Sequence, residues 1–248
     1  MIIFLHDKLG YKILKYINNK DSKSIEKIIL VSNDNGKLNQ FARKFFRKKI
    51  IYWRRSNKSK IIQEIKNSNS QIMLLIWWPF ILQKEFLNIK KYCLNTHPSY
   101  LPYFKGKDPN FWSLLKGGPF GVTIHHVNHK IDSGHIAFQS KIKNIDWTWD
   151  AKKLYNQSIV ELFKLFKKNF TNIKNHNLPL IKQSQKHKKI NYRKNMLKTS
   201  IVNLNSKITV KNFLNLLRAK NFLPYNGIIF SDNKKKYSIN IKISKIKP

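Results

Sequence analysis

Asn95 and His97 stand two residues apart in Leu94-Asn95-Thr96-His97-Pro98-Ser99. In an extended segment that spacing places both side chains on one face. Their chemistry is complementary. An Asn amide donates to a developing oxyanion, and a His of near-neutral pKa takes or gives a proton. A His in that role needs a group to orient it. Asp132, in Ile131-Asp132-Ser133-Gly134, is the candidate, one of only 12 acids in a chain with 49 Lys and Arg. Gly134 would let the backbone bend tightly beside it. Residue by residue each feature has a blander reading. An Asn-x-His pair is more often structural, and an Asp beside Ser-Gly is more often a turn residue bonding its own backbone.

The elements that must position these residues are legible from the apolar pattern. Ile2–Leu5, Ile28–Val31, Ile50–Trp53 and Ile72–Trp77 read as strands; Tyr11–Ile17, Leu38–Phe46 and Lys60–Lys66 read as helical. Ile72–Trp77 is the most apolar run and so the expected central strand, buried on both faces. Tyr92–Leu94 reads as a further strand. That sets Asn95 just past a carboxyl end, where open α/β sheets collect ligands. The alternation predicts an α/β fold with a mostly parallel sheet. No G-x-G-x-x-G follows the first strand, so the dinucleotide fingerprint is missing. Residues 95–139 hold five of the eight Gly, four of the eight Pro and five of the eight His, which marks shaped loops. Val122–Val127 and Ile136–Ser140 read as strands within them. Thr148 to Phe170 reads as a helix, and Asn172–Leu197 as a long, Lys-rich connection. Helical periodicity over Val210–Ala219 and strands at Ile228–Phe230 and Tyr237–Ile243 predict a small α+β module at the end. The division expected is 1–172 catalytic, 173–198 connecting and 199–248 a C-terminal module.

The order of the blocks is more specific than any one of them. Asn-x-His-Pro-Ser-x-Leu-Pro, Lys105-Gly106, Gly121-Val122-Thr123-Ile124 and Ile131-Asp132-Ser133-Gly134 together resemble the folate-dependent formyltransferases. That family includes methionyl-tRNA, glycinamide ribonucleotide and nucleotide-sugar enzymes. The resemblance covers residues 70–140 closely and 1–70 loosely. It implies the Rossmann-like formyltransferase fold, with Asn95, His97 and Asp132 as the catalytic trio. It also implies N10-formyltetrahydrofolate as co-substrate, and no metal. The folate would sit near the loop after the fourth strand, at Trp77, Trp78, Pro79, Phe80 and Ile81, and near Ile131 and Gly134. One of the two Trp is expected in the core.

Two further blocks are similar to the nucleotide-sugar N-formyltransferases. They are Lys107–Ser113 with Gly118-Pro119-Phe120-Gly121, and Phe213–Lys220 with Pro224-Tyr225-Asn226-Gly227. This resemblance implies formyl transfer to the primary amine of a nucleotide-linked amino sugar. Lys105 is a candidate diphosphate contact; where the family often has Arg, Lys keeps the charge and loses the fork geometry. Tyr103, Phe104 and Trp112 are candidates for acceptor contact, with ordinary packing as the alternative. The rival readings are a methionyl-tRNA formyltransferase of reduced size, a formyltetrahydrofolate hydrolase, and a non-enzymatic polyanion-binding protein.

The net charge of +37 invites the last of these. Its make-up argues otherwise. Only 6 of the 49 basic residues are Arg, and Lys, Asn and Ile make up 104 of 248 residues, as AT-rich codons would give. Spread over a surface, such charge attracts anionic ligands without naming one. An aromatic content of 13% excludes a disordered basic tail. The single Cys93 excludes a disulfide scaffold, fits a reducing compartment, and is expected as a small buried residue. His125, His126, His129 and His135 match no standard zinc spacing. On a strand, His125 and His126 would face opposite ways. The longest apolar run, Ile72–Leu82, contains Pro79 and is shorter than the ~18–20 residues of a membrane span. The start, MIIFLHDKLG, shows no secretion signal. These features suggest a cytoplasmic enzyme of small molecules, with nucleic acid a partner only under the tRNA alternative. The aromatic C-terminal module could supply a homodimer contact.

Overall fold

In the computed structural model, which describes residues 1–184, 186–187 and 189–246, the apolar runs resolve into alternating strands and helices. In chain order they are β1 (Ile2–Leu5), α1 (Asp7–Asp21), β2 (Lys27–Leu30), α2 (Lys37–Phe46), β3 (Ile50–Tyr52), α3 (Lys58–Lys66), β4 (Ile72–Ile76), α4 (Lys84–Leu87) and β5 (Tyr92–His97). Then come β6 (Lys105–Gly106), α5 (Pro109–Lys116), β7 (Phe120–His126), β8 (Ile136–Ile142) and α6 (Ala151–Lys174). The chain ends with β9 (Ile190–Asn191), α7 (Arg193–Thr199), β10 (Ile201–Val202), α8 (Val210–Lys220), β11 (Ile228–Asp232) and β12 (Lys235–Ile239).

Seven strands form one sheet in the order β3-β2-β1-β4-β5-β7-β8. The pairs from β3 to β5 are all parallel, and β7 runs antiparallel to β5. This is the expected α/β, mostly parallel sheet. β4 lies at its middle with every residue buried, as its unbroken apolar run requires. Alternation along β1 feeds two cores. Ile2 and Phe4 join Met73, Leu75, Trp53 and Trp78 in one cluster, while α1 buries Leu9, Ile13, Leu14 and Ile17. Each such fully buried side chain contributes about 1.5–3 kcal/mol.

Three departures from the sequence pattern bear on the site. β5 continues through Asn95, Thr96 and His97, where the apolar signal stops at Leu94; antiparallel pairing with β7 carries it on. Residues 109–116, expected as loop, form α5. Pro109 opens it, Phe111, Trp112 and Leu114 bury its face, and Gly117 ends it at φ 69°. The stretch expected as a connection holds β9 and α7, and Ile181 bridges to Ile136.

Contacts gather the chain into two compact units, each drawn from three stretches. The first comprises Met1–His97, Thr123–Gln139 and Leu162–Gln183. The second comprises Pro98–Val122, Ser140–Glu161 and Ser184–Pro248. Within the second, β10, β11 and β12 form a three-stranded sheet and β6 pairs with β9. α8 packs against α5 there. Asn221 at the end of α8 donates to Asp150 at 2.7 Å, and Phe222 meets Tyr155 edge-on at 5.3 Å.

Candidate active site

The register of one strand pair builds the centre of the site. Asn95 on β5 is the partner of His125 on β7, and His97 is the partner of Thr123. All four share one face of the sheet, because alternate residues of a strand do. Cys93 lies earlier on that face, inside the apolar cluster. Along β5 the face therefore passes from apolar to polar toward the carboxyl end. His97 is 5% exposed and His125 2%, so both imidazoles are held away from bulk water.

Asp132 meets this pair from the turn between β7 and β8. Its Oδ2 lies 3.6 Å from His97 Nδ1 and its Oδ1 3.5 Å from His125 Nε2. One carboxylate thus faces two rings, which stand perpendicular with centroids 6.3 Å apart. Both distances are in ion-pair range and beyond a normal hydrogen bond. The backbone at Asp132 is left-handed, φ 46°. Gln183 braces it: its Nε2 donates to the carbonyls of Asp132 at 3.0 Å and Gly134 at 2.7 Å. Gly134 is needed for a reason the sequence did not show. A Cβ there would run into the His126 carbonyl oxygen, so glycine lets the turn close on β7.

The structure therefore brings Asn95, His97 and Asp132 together. It adds two residues that sequence reasoning missed. His125 stands in the tandem His125-His126, whose parity carries no link to Asn95; the alternation of Val122 and Ile124 with the polar Thr123 and His125 is the available signal. Gln183 comes from a polar stretch 51 residues after Asp132, with no local pattern to mark it. His126 faces the other way, as the alternation predicts, and donates Nε2–H to the Pro179 carbonyl at 3.0 Å. Burial holds its pKa below the usual histidine value.

The expected folate loop follows β4. Trp77 is left-handed, φ 54°, and its N–H donates to Thr96 Oγ1 at 2.9 Å, next to Asn95. Trp78 is the tryptophan in the core, edge-on to Phe4 and Trp53. Pro79 leads to Phe80 and Ile81, which are exposed; Phe80 stacks over Trp53. Ile131 is half-buried. Tyr103, Phe104, Lys105 and Trp112 lie in the second unit. Lys105 and Trp112 are buried there, and Tyr103 contacts Phe104 and His187. Among the described residues, no group of three or more His, Cys, Asp or Glu is placed to hold a metal ion.

An amide donor, an imidazole and a carboxylate at a strand end can bind an oxyanion and move one proton. Comparison with known proteins agrees with that chemistry. A methionyl-tRNA formyltransferase from Prochlorococcus marinus (strain MIT 9312) is 36% identical over 139 residues, 53% of this chain and 42% of that relative, so the chain spans under half of its length. Among solved structures, a sugar N-formyltransferase from Shewanella sp FDAARGOS_354 superposes with TM-score 0.83 at 20% identity, covering 99% of this chain and 98% of that one. WlaRD, a sugar 3N-formyl transferase solved in the presence of dTDP and 5-N-formyl-THF, gives TM-score 0.73 at 25% identity over 95% of this chain and 83% of that one. Residues 198–245 match the N-formyltransferase dimerization C-terminal domain. Residues 9–162, which include Asn95, His97, His125 and Asp132, match the formyl transferase family, and the chain belongs to it.

Proposed function

We propose that this protein transfers a formyl group from N10-formyltetrahydrofolate to the primary amine of a nucleotide-linked amino sugar. The observation that carries the reading is the convergence of half-buried Asn95, buried His97 and half-buried Asp132 at the end of β5. The amine nitrogen attacks the formyl carbon and a C–N bond forms. Asn95 donates to the oxyanion that develops on the formyl oxygen. Asp132 sits on the Nδ1 side of His97, so proton traffic runs through Nε2. His97 takes the proton from the amine and returns it to N10 as the old C–N bond breaks. Asp132 orients the ring and steadies its charged form. The loop at Trp77–Ile81, with Ile131 and Gly134, would hold the folate. Lys105 and the aromatics Tyr103, Phe104 and Trp112 would serve the acceptor.

The sugar acceptor is favoured by near end-to-end superposition on sugar enzymes and by the matched C-terminal domain. That domain also supports a homodimer. A tRNA acceptor is the second reading, favoured by the names of the sequence relatives. An acceptor screen separates them. Several nucleotide-linked amino sugars and aminoacylated initiator tRNA are each incubated with N10-formyltetrahydrofolate, and products are read by mass spectrometry. Formylated sugar nucleotide is expected; formylation of the tRNA alone would reverse the assignment. Asn95→Ala should lower kcat about 10²–10³-fold. His97→Ala and Asp132→Ala should abolish turnover with the fold intact by circular dichroism. Near-normal turnover in His97→Ala would remove the mechanism.

A further inference from the structure

An amide serves an oxyanion only when its nitrogen, not its oxygen, faces the reacting carbonyl. The two ends of Asn95 are nearly equal in shape, so a neighbour must choose between them. His125 is placed to choose. Its Nδ1 lies 2.8 Å from the His126 carbonyl oxygen. A carbonyl only accepts, so Nδ1 carries the proton. In the neutral ring Nε2 is then a bare acceptor, and it lies 3.3 Å from Asn95 Nδ2. A reversed amide would set an oxygen lone pair against a nitrogen lone pair.

We infer that His125 is a positioning residue for formyl transfer: its backbone-fixed tautomer takes one N–H of Asn95 and so commits the other N–H of that nitrogen to the formyl oxygen. The inference rests on Asn95 being the oxyanion donor. The groups facing His125 are Asn95 and His97 from β5, Asp132 from the turn, and the His126 carbonyl from its own strand. Asp132 is the competitor. A protonated His125 would donate toward its Oδ1, 3.5 Å away, and repel the Asn95 nitrogen.

Two substitutions separate positioning from support of the strand. His125→Gln can set an acceptor oxygen where Nε2 was. His125→Asn reaches only the Nδ1 position, so it can keep the His126 carbonyl contact but offers Asn95 nothing. Turnover is measured with N10-formyltetrahydrofolate and the acceptor found in the screen. His125→Gln should stay within several-fold of wild-type kcat. His125→Asn should fall about 10–100-fold in kcat with KM for the folate unchanged. In an Asn95→Ala background the two should be equal. Equal rates of the Gln and Asn variants with Asn95 present, or a difference that persists without Asn95, would overturn the inference. Full turnover in Asn95→Ala would instead overturn the catalytic trio. A readout independent of the acceptor is the long-range 1H–15N spectrum of the wild-type imidazoles, with His125 assigned by its loss in His125→Gln. Nδ1 should be protonated and Nε2 bare at pH 8; the opposite tautomer would refute the choice made for Asn95.

Discussion

Cys93 is the residue that most resembles a nucleophile out of place. It shares a strand face with Asn95 and His97, yet it packs among Ile2, Phe4, Met73 and Trp78. Burial pushes its thiol from 9.0 up to about 12. At pH 8 only about one thiol in 10⁴ is then a thiolate, the reactive form. Native protein should therefore be inert to a thiol-reactive dye at pH 8 and react at once in guanidinium; rapid labelling of the native state would contradict the burial. The sequence reading of Cys93 as a small buried residue holds. The proximity of Asn95, His97 and Asp132 was legible too, because strand parity joins two of them and the family resemblance implies the third. His125 and Gln183 were not legible in their present places. Their contacts depend on the pairing of β5 with β7 and on the path of a late polar segment, neither of which leaves a periodic trace.

One segment holds the Asp132 turn in place. Residues 179–183 run beside β7 and β8: Ile181 exchanges backbone hydrogen bonds with Ile136, Pro179 accepts from His126, and Gln183 donates to the Asp132 turn. His126 gives this brace a pH dependence. Its folded-state pKa is depressed, chiefly by burial. Its contribution is whole above the unfolded value of about 6.5 and is lost as pH falls through the lower folded value. Tm should drop between pH 7 and 5. His126→Gln, which keeps a donor for Pro179, should flatten that slope, with a residue left by His176, which is depressed in the same direction. Identical slopes in the two proteins would rule His126 out as the source. A second prediction concerns Gly134. Gly134→Ala forces a Cβ against the His126 carbonyl and must move Asp132. Activity should fall at least about tenfold, in keeping with ångström-scale misplacement of a catalytic group, while the circular dichroism spectrum is kept; full activity would mean the turn has slack. At this scale the strands and helices were read well wherever apolar residues repeat. The misses were α5, whose start and stop signals at Pro109 and Gly117 lay in a Gly- and Pro-rich stretch, and the end of β5, whose last residues, Asn95, Thr96 and His97, carry no apolar signal.

Across the molecule, charge and connectivity lead to different conclusions. A broad cleft of about 1190 Å³ runs along α1, but its 20 lining residues hold six Lys and two Asp. Charges of both signs are denser in that lining than along the chain, with its 49 basic and 12 acidic residues in 248, and none of the three site residues lines it. Connectivity is more informative. Residues 199–248 share a compact unit with Pro98–Val122 and Ser140–Glu161, so they are not a bead on a tether. α8 buries Leu216, Leu217 and Ala219 and packs against α5, where Phe111, Trp112 and Leu114 are buried. Uncovering even two or three such side chains costs on the order of 3–9 kcal/mol, comparable to the whole stability of a domain. Two outcomes are then distinct. If the C-terminal segment served only to pair two copies, a chain ending at residue 198 would be a stable monomer with an unchanged Tm. If it completes the unit, that chain should aggregate or melt at least about 10 °C lower. The milder variant Leu217→Asp should lower Tm in the full-length protein whatever its oligomeric state. Light scattering and thermal melts on the three proteins decide, and a well-folded chain of 198 residues would show that the C-terminal segment is dispensable to the fold.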